Sequence, residues 1–177
     1  MKYSFLIFLA FSLSSNLFAQ ESSFFKLFEE VEFEQLQVYS FARIEFKKTD
    51  VYPYKGQKIN KENLIFLEDF FDSLALSYND FFAVYHYPIN KELEGFLVRE
   101  SISEGTENMI YCLIYDLSKQ RFIHQIELAN AYSYESASGG FETWLIDLNK
   151  DGYHDFLTYS QEELLSMENG EVDLKYI

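Results

Sequence analysis

The sequence predicts an α+β fold that is mostly β: an antiparallel meander sheet, shaped like a propeller blade or an open barrel, with one packed helix. Three observations carry this expectation. Runs rich in β-branched and aromatic residues follow one another at Phe81–Tyr87, Phe96–Ile102, Met109–Tyr115, Phe122–Leu128 and Phe141–Ile146, the composition that suits a pleated, half-buried surface. The links Asn90–Gly95, Ser103–Asn108 and Ser118–Gln120 are short and polar, and links of that length join antiparallel neighbours. A helical period occurs at Leu64, Leu67, Phe71 and Leu74, which recur at steps of three and four residues.

From the N-terminus, Lys2 precedes an apolar run at Phe5–Phe11, broken only by the small Ala10, and Ser12, Ser14, Ser15 and Asn16 end it. Leu17-Phe18-Ala19 then puts a small residue just before Gln20, which reads as a secretory signal peptide over 1–19. The apolar run is far shorter than the roughly 20 residues that span a bilayer. The expectation is one globular domain over 20–177, secreted or periplasmic, without stable membrane insertion. No cysteine near the cleavage point offers a lipid attachment site.

Leu36–Tyr39 and Ile44–Phe46 are further strand candidates. Asn60 can cap a helix opening at Lys61, with Glu62, Glu68, Asp69 and Asp72 turned to water. Tyr132–Gly140, rich in Ser, Gly and Tyr, reads as the longest flexible loop. In the tail, Ser160 and Glu163 have capping-box spacing, whereas Asn169-Gly170 favours a type I′ hairpin turn. The hairpin is the better reading, because it brings Leu165, Met167, Val172 and Leu174 to one face.

Composition narrows the function classes. Without 1–19 the chain has 158 of its 177 residues, and its charge moves from −15 to −16 because Lys2 is lost. So acidic a surface disfavours nucleic acid and anionic lipid, which need clustered Lys and Arg. It suits solubility first, and also calcium-rich surroundings or a basic partner. The single cysteine excludes an internal disulfide. Cys112 alternates with Ile110 and Ile114 and reads as a small core residue. The 14 Tyr and 19 Phe fall mostly in strand candidates and read as core. His86, His124 and His154 lack zinc-site spacing; His124 reads as a core or barrel-edge residue and His154 as a loop residue that need not be a ligand.

The run Leu145-Ile146-Asp147 through Asp155 is the candidate site. Asp147, Asn149 and Asp151 offer side-chain oxygens at loop positions 1, 3 and 5, Tyr153 its backbone carbonyl at 7, and Asp155 a carboxylate at 9. Calcium takes 6 to 8 oxygens, and alternating loop residues can wrap them around one point. Gly152 supplies the sharp turn. The competing reading is an Asx-rich turn stabilised by its own backbone. Three carboxylates within nine residues repel one another, which favours a cation.

Position 12 is Thr158, where an EF-hand carries a bidentate Glu, and the flanks Trp144–Ile146 and Phe156–Tyr159 favour strands over helices. A D-x-N-x-D-G-x-x-D loop between strands resembles the calcium loop of FG-GAP and VCBS-type repeats, extracellular modules that usually occur as β-propeller blades. The resemblance is local, roughly 20 residues, and implies Ca²⁺ on Asp147, Asn149, Asp151 and Asp155. One copy of the loop is too few for a complete propeller. The missing bidentate ligand implies weak binding, with a Kd on the order of 10⁻⁴–10⁻³ M. Glu142, Glu162 and Glu163 are the nearest spare carboxylates.

The leading functional expectation is an exported calcium-binding structural or interaction module, its partner an unknown exported protein or glycan. The alternatives are an extracellular glycan hydrolase using paired carboxylates and an acidic inhibitor or immunity-type protein facing a basic partner. No G-x-S-x-G, H-E-x-x-H, P-loop or dinucleotide fingerprint occurs, and no catalytic or cofactor-binding residue stands out. A cleft with facing carboxylates favours the hydrolase; a sheet face with exposed rings favours binding.

Overall fold

The structure, a computed structural model, describes residues 23–42, 52–102, 107–133, 137–168 and 171–176. The expected signal peptide, the strand at Ile44–Phe46 and the Asn169-Gly170 turn lie outside these residues. The chain is mostly β. Its strands are β1 (Glu29–Glu30), β2 (Gln35–Val38), β3 (Gln57–Lys58), β4 (Asp80–Pro88), β5 (Leu93–Ile102), β6 (Glu107–Asp116), β7 (Arg121–Ser133), β8 (Ala137–Ile146), β9 (Asp155–Glu168) and β10 (Glu171–Tyr176).

From β4 to β10 each strand pairs antiparallel with the next, the expected meander. What curls it is the N-terminal segment. β1 adds in parallel to β4, through Glu29 with Tyr85 and Glu30 with His86, while β2 pairs antiparallel with β8, from Gln35 with Ile146 to Val38 with Thr143. Only residues 31–34 separate β1 from β2, so one short stretch bridges the first and fifth strands of the meander. β7 meets β8 only over Asn130–Ser133, and β2 takes the place that β7 vacates. Register shifts in the β6–β7 ladder at Ile110/Tyr111 and Ile114/Tyr115 add local twist. The result is a curled open sheet, a half-barrel.

Both faces of the central strands are buried. Along β5, Leu97 points into one cluster with Val38, Tyr54, Cys112 and Leu145, while Phe96 and Val98 point into another with Phe24, Phe28, Leu67 and Phe71. Period-2 alternation puts neighbouring residues on opposite faces, and here both sets are apolar. The second face is covered by 23–28 and by the helical segment. Phe24 meets the rings of Phe28, Phe66 and Phe122 at centroid distances of 5.3, 4.8 and 6.2 Å, so aromatic residues are core, as composition indicated. Cys112 is fully buried beside Ile110 and Ile114.

The helical stretch differs from the single helix expected over 61–74. It forms a 3-10 helix, Asn63–Leu67, and a short α-helix, α1 (Ser73–Tyr78). Asp72 divides them: its backbone is extended, and its carboxylate accepts from the Leu74 and Ala75 amides at 2.9 and 2.8 Å, so it caps the second helix instead of continuing the first. Asn60 does cap, with Oδ1 accepting from the Asn63 amide at 3.0 Å. Leu67 and Phe71 are buried, while Leu74 falls off the stripe and is 68% exposed.

Tyr132–Gly140 is not a long loop. β7 runs to Ser133, β8 starts at Ala137, and Ser133 pairs with Ser138. The glycines are there for close approach: a Cβ on Gly140 would lie 1.9 Å from the Asn130 carbonyl oxygen, and one on Gly139 2.6 Å from that of Gln161. The tail is the expected hairpin, with Leu165 opposite Leu174 and Met167 opposite Val172. Among the described residues no helix is long and apolar enough to cross a membrane.

Candidate functional site

The Asp147–Asp155 loop joins β8 to β9, and the two strands pair up to Ile146 with Asp155 at its mouth. Its acidic and amide side chains turn inward onto its own backbone. The Asp151 amide is shared by Asp147 Oδ1 at 3.1 Å and Asn149 Oδ1 at 2.9 Å, and Asp147 Oδ2 accepts from the Gly152 amide at 2.9 Å. Asp151 Oδ1 accepts from the Tyr153 amide at 2.9 Å, and Asp151 Oδ2 from Asn149 Nδ2 at 3.0 Å. Asp155 Oδ2 closes the loop by accepting from the Leu148 amide at 3.1 Å. Lys150 and Gly152 take left-handed backbone, φ 63° and 87°. Nothing lies within 4 Å of a Cβ placed on Gly152, so the turn itself, not space, calls for glycine there.

Asp147, Asn149 and Asp151 are thus brought together, Asp155 joins through Leu148, and Tyr153 enters through its amide. These bonds are those of an Asx turn, yet they leave acceptor capacity, because an ionised carboxylate offers about four lone-pair sites. The donor set, carboxylates and an amide oxygen, is the hard-oxygen chemistry that fits calcium. Among the described residues no three Asp, Glu, His or Cys side chains form a metal-holding group, so the amide oxygen of Asn149 and backbone carbonyls are needed to complete one. Glu142 and Glu162 are engaged elsewhere, accepting from Gln37 Nε2 at 2.9 Å and from the Tyr132 hydroxyl at 3.2 Å. His154 stacks on Phe33 at 4.8 Å and ties the loop to the link between β1 and β2.

A second acidic location escaped the sequence reading. Glu100 is 3% exposed and lines an open cavity of about 490 Å³ with Asp72, Tyr78, Tyr111 and Gln125. Asn79 Nδ2 donates to its Oε1 at 2.7 Å. Burial pushes its carboxyl up, against the pull of hydrogen bonds from Asn79 and Tyr111, and the Asp72 and Glu107 charges raise it further. Burial likewise raises Glu127, with Glu107 adding to the shift. The signal was available: Glu100 falls in phase with Phe96 and Val98, an acid at a core position of its strand.

A third feature is an open trough of about 850 Å³ walled by Tyr39, Phe41, Tyr132, Phe141 and Tyr159. Two buried atoms in its wall, Ser40 Oγ and Asn130 Oδ1, have no hydrogen-bond partner among the described residues. Beside it, β9 exposes Phe156, Leu157 and Tyr159. His124 lies exposed on the part of β7 that has β6 as its strand neighbour, the edge alternative for that residue. The chain matches no family model, and neither a curated protein nor a solved structure matches it.

Proposed function

We propose that the protein is an exported calcium-binding interaction module, in which Ca²⁺ on the Asp147–Asp155 loop stiffens the root of the β8–β9 pair and leaves its exposed surface to a partner protein or glycan. The observation that carries this reading is the convergence of Asp147 and Asn149 oxygens on one amide, with Asp151 hydrogen-bonded to Asn149. Asp147, Asn149, Asp151 and Asp155 supply side-chain oxygens and Tyr153 a carbonyl. Water completes the shell, since the loop residues are mostly exposed. Such a site, without a bidentate Glu, binds on the order of 10⁻⁴–10⁻³ M, the range of extracellular modules. Export follows from the leader-like 1–19.

Isothermal titration of the purified protein with calcium tests this. One saturable site, lost in Asp151→Ala, is the expected result; an identical baseline in both proteins would sink it. The hydrolase reading has its own support in the Glu100 cavity, where burial raises a carboxyl that shares the cavity wall with Asp72. Release of reducing ends from polysaccharides, abolished by Glu100→Gln, would favour it over the binding module.

A further inference from the structure

We propose that the edge of β9 from Asp155 to Ser160 docks an extended, positively charged segment of a partner protein by strand addition. The inference deepens the interaction-module reading by naming the kind of partner, and the strand pairing itself needs no calcium.

The backbone comes first. β10 pairs with β9 only from Glu163 onward, so over 155–160 β9 has a strand neighbour on the β8 side alone among the described residues. A strand with one neighbour presents a row of amides and carbonyls that another chain can pair with. This row is roughly 20 Å long at about 3.3 Å per residue. The other end of the meander is treated differently: β3 and β1 both lie along β4 and cover its outer side.

The side chains agree with an edge meant to be covered. Phe156 on one face and Leu157 and Tyr159 on the other are 47%, 54% and 62% exposed. Edge strands are commonly blunted by Lys, Pro or a bulge. From 155 to 160 there is no Lys, Arg or Pro, and the register against β8 runs without a shift. An added strand would place its own side chains against these three, in cross-strand pairs that include aromatic contacts.

Charge selects the occupant. Asp155 and Glu162 bracket the exposed rings, Asp147 and Asp151 lie beyond one end, and Glu142 stands opposite Tyr159 in the register. No Lys or Arg occurs between Lys150 and Lys175. A second copy would add charge of the same sign at this edge, whereas a Lys- or Arg-bearing strand meets opposite charge at both ends of it, from Asp155 and Glu162.

Amide hydrogen exchange reads the docking directly, with a short peptide alternating Lys and Val as the probe and one alternating Glu and Val as control. The Lys–Val peptide should slow exchange over 155–160, more strongly in chelator than in calcium, which would neutralise Asp147, Asp151 and Asp155, and leave the β5–β6 ladder unchanged. The control should not. Leu157→Lys combined with Tyr159→Lys should weaken the Lys–Val peptide by about tenfold, through lost cross-strand pairs and added repulsion, with an unchanged circular dichroism spectrum. Equal protection by both peptides, protection that grows with protein concentration alone alongside a dimer in sedimentation, or no protection by either would overturn the proposal. If no peptide protects β9 while calcium still raises the melting temperature, the docking fails and the calcium reading stands.

Discussion

Arg99 and Asn108 offer the sharpest test of the packing. Arg99 is 1% exposed; its Nε and Nη2 donate to the Lys55 carbonyl at 3.3 and 3.0 Å, its Nη1 donates to Asn108 Oδ1 at 2.7 Å, and its guanidinium lies 3.8 Å from the centre of the Phe82 ring. Asn108 in turn donates through Nδ2 to the Phe41 carbonyl at 3.2 Å. The pair therefore ties 41 and 55 to the middle of the sheet. Asn108→Ala withdraws an acceptor from a buried charge and a donor from Phe41, while the charge stays. A bond to a charged group contributes about 1.5–3 kcal/mol, and an abandoned neutral partner costs about 1 kcal/mol more, so the expected loss is about 2–4 kcal/mol. Arg99→Met removes the charge with its desolvation penalty and keeps an apolar stem, but it takes these donors from the Lys55 carbonyl and Asn108 Oδ1, so it should cost a comparable amount, about 2–4 kcal/mol. In the double mutant the losses should fall short of additivity by about 1–2 kcal/mol. Urea denaturation followed by circular dichroism measures all three. With a slope of about 1–3 kcal/mol per molar, Asn108→Ala should move the midpoint by roughly 1 M or more. A loss below about 1 kcal/mol in Asn108→Ala, or additive single losses, would refute the reasoning.

Other expectations follow from single positions. Gly95 lies opposite Tyr87, and a Cβ there would sit 2.6 Å from Tyr87 Cζ, so Gly95→Ala should displace the ring and destabilise by about 1–3 kcal/mol; a melting curve unchanged from wild type would show that the ring yields freely. Burial pushes the Cys112 thiol up to about 11, against hydrogen bonds from Tyr87 and the Phe96 backbone, and a bulky thiol reagent at neutral pH should react with it only after unfolding. Native labelling as fast as in denaturant would place Cys112 on the surface. For Glu100 the raised folded-state pKa means that its contribution to stability is full below the ordinary carboxylate range and is lost as pH rises through the folded value. Wild type should therefore lose stability relative to Glu100→Gln as pH is raised from about 4 toward 7, and parallel stability curves would contradict the burial.

Much of the meander was legible because period-2 runs and short links are local signals. Each of the five central strands lies within a predicted run extended by a few residues, and the Asn169-Gly170 signal correctly favoured pairing of 165–167 with 172–174. Of the two strands that curl the sheet, β2 falls on the Leu36–Tyr39 candidate, whereas β1 was not legible, and neither was β3. β1 and β3 are two residues long, too short for a period, and their pairing with β4 is decided by contacts far away in sequence. Tyr132–Gly140 was misread because Ser and Gly suggest a loop, whereas these glycines make room for backbone on both sides. The helix was misread at Asp72, since an acid on a polar face and an acid that caps a new helix look alike until the backbone is known. Arg99 and Glu100 carried a signal that went unused: adjacent charged residues inside an apolar strand, each forced into an interior position.

The loop claim is tested most directly by thermal unfolding with and without calcium. A cation that binds the ordered loop and finds no oxygen cage in the unfolded chain stabilises the fold; for a Kd near 10⁻⁴ M and about 1 mM calcium, linkage gives roughly 1.4 kcal/mol. The melting temperature should rise by about 3–6 °C for a chain of this size, and Asp147→Ala and Asp151→Ala should each remove the rise while leaving the calcium-free curve nearly in place. An unchanged wild-type curve in several millimolar calcium, together with no saturable calcium uptake, would reduce the loop to an Asx turn and contradict the account.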